Sequence, residues 1–224
     1  MMEELERLAG EIRDEGLRGK VLEFLKVPDI DLDGEKLPLD ECPGGAYVHH
    51  CYEGGLLQHT VSVVRLALTL CDLVEGNYGG EVDRDAVLAG ALIHDVMKCY
   101  SYVRDEWEGF RTSPLGERVD HLSLLVSEMY RRGFPVDVIH VAASHHGDQS
   151  PVKPKTLEAL IVSIADMADS ELSRQTLRAA EYLVRQATGR KRRFASSEEA
   201  LEVLRVKATE GWEGLRHDNP GKDK

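Results

Sequence analysis

Apolar residues recur at helical spacing along most of this chain, and no other feature of the sequence restricts its fold as strongly. The segments with this spacing are 1–27, 56–74, 84–98, 119–132, 135–146, 156–187 and 196–216. Amphipathic helices bury their apolar faces against one another, so the pattern predicts an all-α bundle.

Two stretches break the helical pattern. From Pro28 to Gly55, prolines and paired glycines predict a long loop, and long loops inside compact domains are often functional. Near residues 100–111, aromatic residues around a Glu-Gly pair predict a short β-hairpin. The sequence contains neither an internal repeat nor an interdomain linker, so we expect a single domain over residues 1–224.

Charge and composition limit the class of protein further. Forty acidic residues against 28 basic ones give a formal net charge of -12. This charge argues against a surface that coats nucleic acid, because such binding depends on neutralising phosphates. The most apolar run, residues 61–74, contains Arg65 and Asp72, so we expect no membrane span. The acidic N-terminus does not resemble a signal peptide, so we expect a cytoplasmic protein whose four cysteines are free thiols.

Histidine and aspartate interrupt segments that otherwise form apolar helix faces. His94 and Asp95 follow one another in the string LAGALIHDVMK, and Asp166 lies within EALIVSIADMAD. Burying an imidazole or a carboxylate is costly unless the group is paired, and a metal ion pairs with both. These positions therefore indicate a metal site.

The complete set of such residues has a recognisable order: His59, His94-Asp95, His121, His145-His146 and Asp166. This order resembles the HD superfamily of metal-dependent phosphohydrolases. About one helix and a connection separates successive members, so the side chains can converge within a helical bundle. In the string LIHDVMK, Met97 replaces the glycine that the family commonly has before Lys98.

A closer resemblance is to the HD domain of YhaM-type 3′–5′ exoribonucleases. It rests on the strings HHCYEGGLLQHT, SHHG and EALIVSIADMADS and covers about residues 47–170. The resemblance implies an HD helical core over that range, with helices of residues 1–27 and 171–216 packed on it. Those exonucleases carry an OB-type nucleic-acid-binding domain before the HD domain, whereas residues 1–46 here have a helical and loop pattern. Asp120 also replaces the glycine usual before the next histidine, and these differences bear on the substrate rather than on the metal.

The resemblance assigns roles to individual residues. The four ligands common to HD proteins are His59, His94, Asp95 and Asp166, and the additional ligands of two-metal members are His121, His145 and His146. Asp95 would bridge the two ions, and Asp95 and Lys98 would be the catalytic residues. The candidates for substrate binding are His49, His50, Lys98 and Asp169.

Mixed imidazole and carboxylate ligands suit divalent transition metals. We therefore expect two ions, with manganese or iron favoured and nickel, cobalt, zinc or magnesium as further candidates. The implied function is hydrolysis of phosphoester bonds in nucleotides or short single-stranded nucleic acid by a metal-activated water. No membrane partner is expected.

Two other functions are compatible with the same ligands. One is an HD-fold di-iron oxygenase that acts on a small molecule, and the other is a non-catalytic regulatory protein stabilised by its metal. The basic run at residues 190–193 also has two interpretations, because it could form a phosphate-binding strip or simply be solvated.

Overall fold

The computed structural model describes residues 1–106 and 109–217 of the chain. Within these ranges the chain forms α-helices and one antiparallel pair of strands, which confirms the predicted all-α fold with a short hairpin. The helices are α1 (Met2–Ala9), α2 (Glu15–Lys26), α3 (Gly55–Leu73), α4 (Arg84–Ile93), α5 (His121–Arg131), α6 (Val136–Ala143), α7 (Leu157–Thr188) and α8 (Ser197–His217), and the strands are β1 (Tyr102–Asp105) and β2 (Gly109–Thr112).

Side-chain caps fix where several helices begin. Asp14 accepts a hydrogen bond from the backbone N–H of Leu17 at the start of α2. At the start of α4, Asp83 accepts one from the backbone N–H of Ala86. Asp120 caps α5 by accepting from the N–H of Ser123 at 2.7 Å. An N-cap of this kind contributes about 1 kcal/mol, and the Asp120 cap makes His121 the first residue of its helix.

The main apolar core lies between α3, α4, α6 and α7. Helix α4 is largely enclosed by its neighbours, with all eight residues from Ala86 to Ile93 buried. Gly90 permits its close approach to α6, because a Cβ at that position would lie 2.3 Å from Cγ1 of Val141. Helices α1 and α2 pack on the outside of α3 and α4.

The second half of α7 extends to α8, and the two helices pack together around a smaller apolar cluster that includes Leu177, Phe194 and Val203. The hairpin pairs Tyr102 with Thr112 and Asp105 with Gly109. Residues 107 and 108, which the prediction of the hairpin also included, lie outside the described residues.

The helix predicted over residues 84–98 is shorter than expected. Helix α4 ends at Ile93, and a 3₁₀ turn, Val96–Tyr100, follows after His94 and Asp95. Asp95 has φ −116° and ψ 4°, which breaks the regular helix. Successive side chains of a regular α-helix point about 100° apart, so this break is what allows His94 and Asp95 to face the same space.

One segment, Gly55–Tyr78, is long and apolar enough to cross a membrane by length and composition alone, although no such span was expected. It comprises α3 and a π-helical turn, Val74–Tyr78. Ten residues of α3 are buried, and α3 packs against α1, α4 and α7. The segment is thus the central helix of the apolar core.

Candidate metal centre

The predicted ligands come from five helices or from the residues that directly follow them. His59 lies in the second turn of α3, and Asp166 lies in the third turn of α7. His121 opens α5, whereas His94-Asp95 and His145-His146 follow the last turns of α4 and α6. The structure brings all seven side chains together into two groups that share Asp95.

The first group contains His59, His94, Asp95 and Asp166, and one ligand atom of each lies within 4.8 Å of every other. His59 Nε2 lies 3.1 Å from Asp166 Oδ1 and 3.4 Å from Asp95 Oδ2. His94 Nε2 lies 3.3 Å from the same Asp95 oxygen and 3.2 Å from His59 Nε2. Two imidazole nitrogens and two carboxylates thus point into one small space.

The second group contains Asp95, His121, His145 and His146, again within 4.8 Å. It uses the other oxygen of the shared carboxylate, because Asp95 Oδ1 lies 3.2 Å from His121 Nε2 and 3.5 Å from His145 Nε2. His146 stacks against His145 with ring centroids 4.0 Å apart. Asp95 is therefore placed to contribute one oxygen to each group.

Backbone and carboxylate acceptors set the orientation of three of the imidazoles. The Nδ1–H of His94 donates to the carbonyl oxygen of Ala91 at 2.8 Å, and that of His145 donates to Ala142 at 2.6 Å. His59 Nδ1–H donates to Asp169 Oδ2 at 2.7 Å. Each bond places a proton on Nδ1 and directs Nε2 into the centre, which is the orientation a metal-binding histidine needs.

Several buried polar atoms of this centre make no hydrogen bond within the protein, although one oxygen of Asp95 forms an ion pair with Lys98. His94 and His145 are at most 1% exposed, as is Asp95. Both oxygens of Asp95 and the Nε2 atoms of His121 and His145 have no partner at hydrogen-bond geometry. Orphaned buried polar atoms are costly, and divalent cations would satisfy all of them. The donor set therefore fits divalent metal ions, and its many imidazole nitrogens make it a poor site for calcium.

Lys98 lies inside the centre rather than at its solvent edge. It is 5% exposed, its Nζ lies 2.5 Å from Asp95 Oδ2, and it donates to the carbonyl oxygen of Gly44 at 2.7 Å. Burial lowers the pKa of Lys98, but the Asp95 carboxylate more than offsets this effect and raises it. Lys98 is thus a cation at neutral pH, and one of its three N–H groups is left for another ligand.

His50 and Asp169 form a buried hydrogen-bonded pair beside His59. Asp169 Oδ2 accepts from both His59 Nδ1 and His50 Nε2, the latter at 2.8 Å. Burial raises the pKa of Asp169, but its bonds to the two histidines lower it well below its usual range. His50 has a left-handed backbone with φ 44°, and both of its ring nitrogens are engaged within the protein.

His49 lies next to this pair, with its ring centroid 5.0 Å from that of His59. It is half-buried, and its Nδ1 has no hydrogen-bond partner. Burial, with the charge of Lys98 adding to it, lowers the pKa of His49 to about 3. Of the two loop histidines predicted to bind substrate, His49 is therefore the one with a ring nitrogen still available.

Two residues of this network were not among the predicted ones. The Tyr52 hydroxyl lies 2.8 Å from His50 Nδ1, and Ser173 Oγ accepts from the backbone N–H of His50 at 2.9 Å. Tyr52 belongs to the string HHCYEGGLLQHT, so the sequence motif already included this residue without assigning it a role. Ser173, 123 positions from His50, carried no signal.

Known proteins resemble this chain at two levels. The HD domain family matches residues 56–170, which is the segment from the start of α3 to just beyond Asp169. The dihydroneopterin 2′,3′-cyclic phosphate phosphodiesterase of Methanocaldococcus jannaschii is 43% identical over 213 residues, which cover 94% of this chain and 85% of that protein.

The YhaM 3′-5′ exoribonucleases match over a shorter range. Those of Bacillus velezensis and Listeria monocytogenes are 28% and 31% identical, over 58% of this chain in each case. The match spans only 43% of their own length. No solved structure matches the chain at a significant level.

Proposed function

Since the chain belongs to the HD-domain family and is a hydrolase of that superfamily, we propose that it is a phosphodiesterase that opens the cyclic phosphate of a small nucleotide-like molecule. The observation that carries this proposal is the shared carboxylate of Asp95, whose two buried oxygens face two separate groups of imidazole donors. Such a centre is suited to phosphoester hydrolysis. The match to a phosphodiesterase over 94% of the chain favours hydrolysis over the oxygenase and the non-catalytic alternatives.

We assign the first ion to His59, His94, Asp95 and Asp166, and the second to Asp95, His121, His145 and His146. When bound, divalent ions supply Lewis-acid polarisation of the phosphoryl oxygens and a water molecule acidic enough to attack at neutral pH. Asp95, charged and held between both groups, offsets part of the positive charge that the two ions bring into a buried space.

The proposed substrate class rests on the similarity to the cyclic phosphate phosphodiesterase and on the small number of cations at the site. A 2′,3′-cyclic phosphate carries one negative charge, shared by its two non-bridging oxygens. Lys98 lies inside the centre and has one N–H not engaged by Asp95 or Gly44. We propose that this N–H binds a phosphoryl oxygen. His49, with its free Nδ1, is proposed to hydrogen-bond the substrate on the side of the loop that precedes α3.

In the proposed reaction, water adds to phosphorus, and the bond from phosphorus to the 2′ or the 3′ oxygen breaks. The released oxygen takes a proton, and the product is a phosphomonoester with a free neighbouring hydroxyl. Asp169 and His50 do not touch the reacting atoms in this scheme. They hold His59 with Nε2 directed towards Asp166, as their hydrogen bonds indicate.

The test is a substrate panel with the manganese- or iron-loaded protein. We expect the protein to hydrolyse dihydroneopterin 2′,3′-cyclic phosphate and 2′,3′-cyclic AMP to monoesters and to degrade long RNA more slowly. Phosphorus NMR monitors the formation of the monoesters. Lys98→Ala should retain both ions but lose about a hundredfold in kcat/KM, whereas Asp95→Asn should lose ions and rate together. Degradation of long RNA with no hydrolysis of either cyclic phosphate would contradict the proposed substrate class.

Metal content is measured on the same preparations. Elemental analysis is expected to give two ions for each chain at full loading, because the two donor groups are equally complete. A single ion in the fully active protein would contradict the two-metal arrangement and leave the first group of ligands as the site.

A further inference from the structure

A cavity of about 670 Å³ lies along the second half of α7, away from the seven proposed ligands. One wall is the exposed face of α7, and the other is the segment that follows the helix, residues 191–193. Of its eight lining residues five are basic and one, Glu181, is acidic; the basic ones are Arg178, Arg185, Lys191, Arg192 and Arg193. We name this feature the α7 groove.

The concentration of positive charge in the α7 groove contrasts with the rest of the molecule. The whole chain has a formal net charge of -12, whereas five basic side chains surround this one groove. Arg192 is paired with Glu199 at 3.4 Å. Arg185 and Lys191 make no ion pair within the described ranges of the chain. Two neighbouring cations without a matching anion, Arg185 and Lys191, favour an anionic ligand.

The arrangement on α7 also specifies the shape of that ligand. Arg178, Tyr182 and Arg185 occupy positions i, i+4 and i+7, which lie on one face of the helix and span about 10 Å at 1.5 Å per residue. Tyr182 is 60% exposed although it is a large aromatic side chain in a cavity wall. A ligand with successive phosphates can meet the cations along the whole of this span, and an exposed aromatic ring among cations suits a stacked base.

From these observations we propose that the α7 groove binds a short single-stranded oligonucleotide, with its phosphates on the arginine and lysine side chains and a base on Tyr182. A flat anionic membrane would not enter a concave surface of this kind. An acidic peptide would satisfy the cations but would leave Tyr182 without a planar partner. Of the two interpretations open for the basic run at residues 190–193, the cavity favours the phosphate-binding strip.

The α7 groove lies beside the loop that carries His49 and His50. The charges of Glu181 and Arg193 both act on the thiol of Cys51, the residue that follows His50. Arg193 also reaches the start of β2, where its Nη1 lies 3.9 Å from the position of a Cβ on Gly109. A strand bound in the groove would therefore lie next to the loop that precedes the metal centre.

Binding can be measured by fluorescence anisotropy with a labelled phosphorothioate hexaadenylate, which resists hydrolysis, and the metal-loaded protein. The test variant is Arg185→Glu/Lys191→Glu, and Tyr182→Ala tests stacking separately. The matched control is Lys26→Glu/Arg65→Glu, which also reverses two exposed charges, one on α2 and one on α3. Thermal unfolding followed by circular dichroism confirms that each variant is folded.

We expect the double charge reversal in the groove to weaken binding at least tenfold and Tyr182→Ala to weaken it about tenfold, whereas Lys26→Glu/Arg65→Glu has little effect. Loss of two phosphate contacts should also reduce the slope of log K against log salt by about 1.4, at 0.7 for each contact of a single strand. Equal loss in Lys26→Glu/Arg65→Glu would show that only net charge matters, and this would overturn the proposal.

Competition distinguishes the sources of the phosphate chemistry. If AMP or inorganic phosphate displaced the labelled oligomer at the same concentration as the unlabelled oligomer does, the groove would be a mononucleotide or phosphate site and the proposal would be wrong. This proposal is independent of the proposed function, because the hydrolysis assay uses substrates too small to span the α7 groove.

Discussion

Removing the carboxylate of Asp95 is expected to destabilise the metal-free protein as well as abolish metal binding. Asp95 is 1% exposed and Lys98 is 5% exposed, and Lys98 Nζ lies 2.5 Å from Asp95 Oδ2. Burial raises the pKa of Asp95, but Lys98 and His94 hold it well below its usual range. The surroundings therefore favour the charged carboxylate, and Asp95→Ala leaves a buried ammonium without its counter-ion.

The magnitude follows from the burial of the pair. Breaking a buried ion pair by removing one partner typically costs about 3–5 kcal/mol. With a urea m-value of about 2–3 kcal/mol/M, this loss lowers the unfolding midpoint by about 1–2 M. The Asp95→Ala/Lys98→Met variant removes both charges and keeps a similar apolar stem, so most of that loss should be recovered.

The assay is equilibrium unfolding in urea, followed by circular dichroism with excess chelator so that metal binding contributes nothing. The parent, the two single variants and the double variant form a thermodynamic cycle, and elemental analysis accompanies it. We expect the double variant to regain stability without regaining metal. A midpoint for Asp95→Ala equal to that of the chelated parent, or a double variant no more stable than Asp95→Ala, would refute the reasoning.

Three further variants test helix packing, the orientation of His59 and an ion pair at the end of α5. Gly90→Ala should destabilise the fold by about 1–3 kcal/mol, because its Cβ would lie 2.3 Å from a methyl group of Val141, and Val141→Ala should rescue it in urea unfolding. Asp169→Asn should weaken metal binding about 10–100-fold in a chelator competition titration, because it loosens the orientation of His59; unchanged affinity would contradict this role. Burial raises the pKa of Glu128, but hydrogen bonds from two arginines lower it more, so the pKa lies below its usual value. The Glu128 carboxylate therefore stabilises the fold above about pH 4.3, and this stabilisation is lost at lower pH. Glu128→Gln should unfold with less dependence on acid, and an unchanged acid transition would exclude this contribution.

Much of the fold and the membership of the candidate site could be predicted because both depend on periodic patterns in the chain. Helical spacing located most of the helices to within a few residues, since apolar faces must be buried whatever the details of packing. The order of the histidines and aspartates could be read without a structure, because buried charges at such positions need a cation.

The end of α4 and the position of Lys98 could not be predicted in the same way. The sequence from Arg84 to Lys98 continues with helical spacing, and only the backbone of Asp95, with ψ 4°, shows that the helix stops at Ile93. This break turns Lys98 inward against Asp95. An unbroken helix would instead have left Lys98 one turn beyond His94, where a solvated position is equally natural.

The different surroundings of Asp166 and Asp169 show most directly what spacing leaves open. Both carboxylates lie on α7, three positions apart and on the same face, so either one could coordinate a metal as far as the sequence is concerned. Which aspartate coordinates the metal depends on the position of His59 along the neighbouring helix α3. Its Nε2 lies 3.1 Å from Asp166 and its Nδ1 lies 2.7 Å from Asp169, so one imidazole separates the two aspartates. Because Nδ1 donates its proton to Asp169, Asp166 is the aspartate left facing the metal-binding nitrogen.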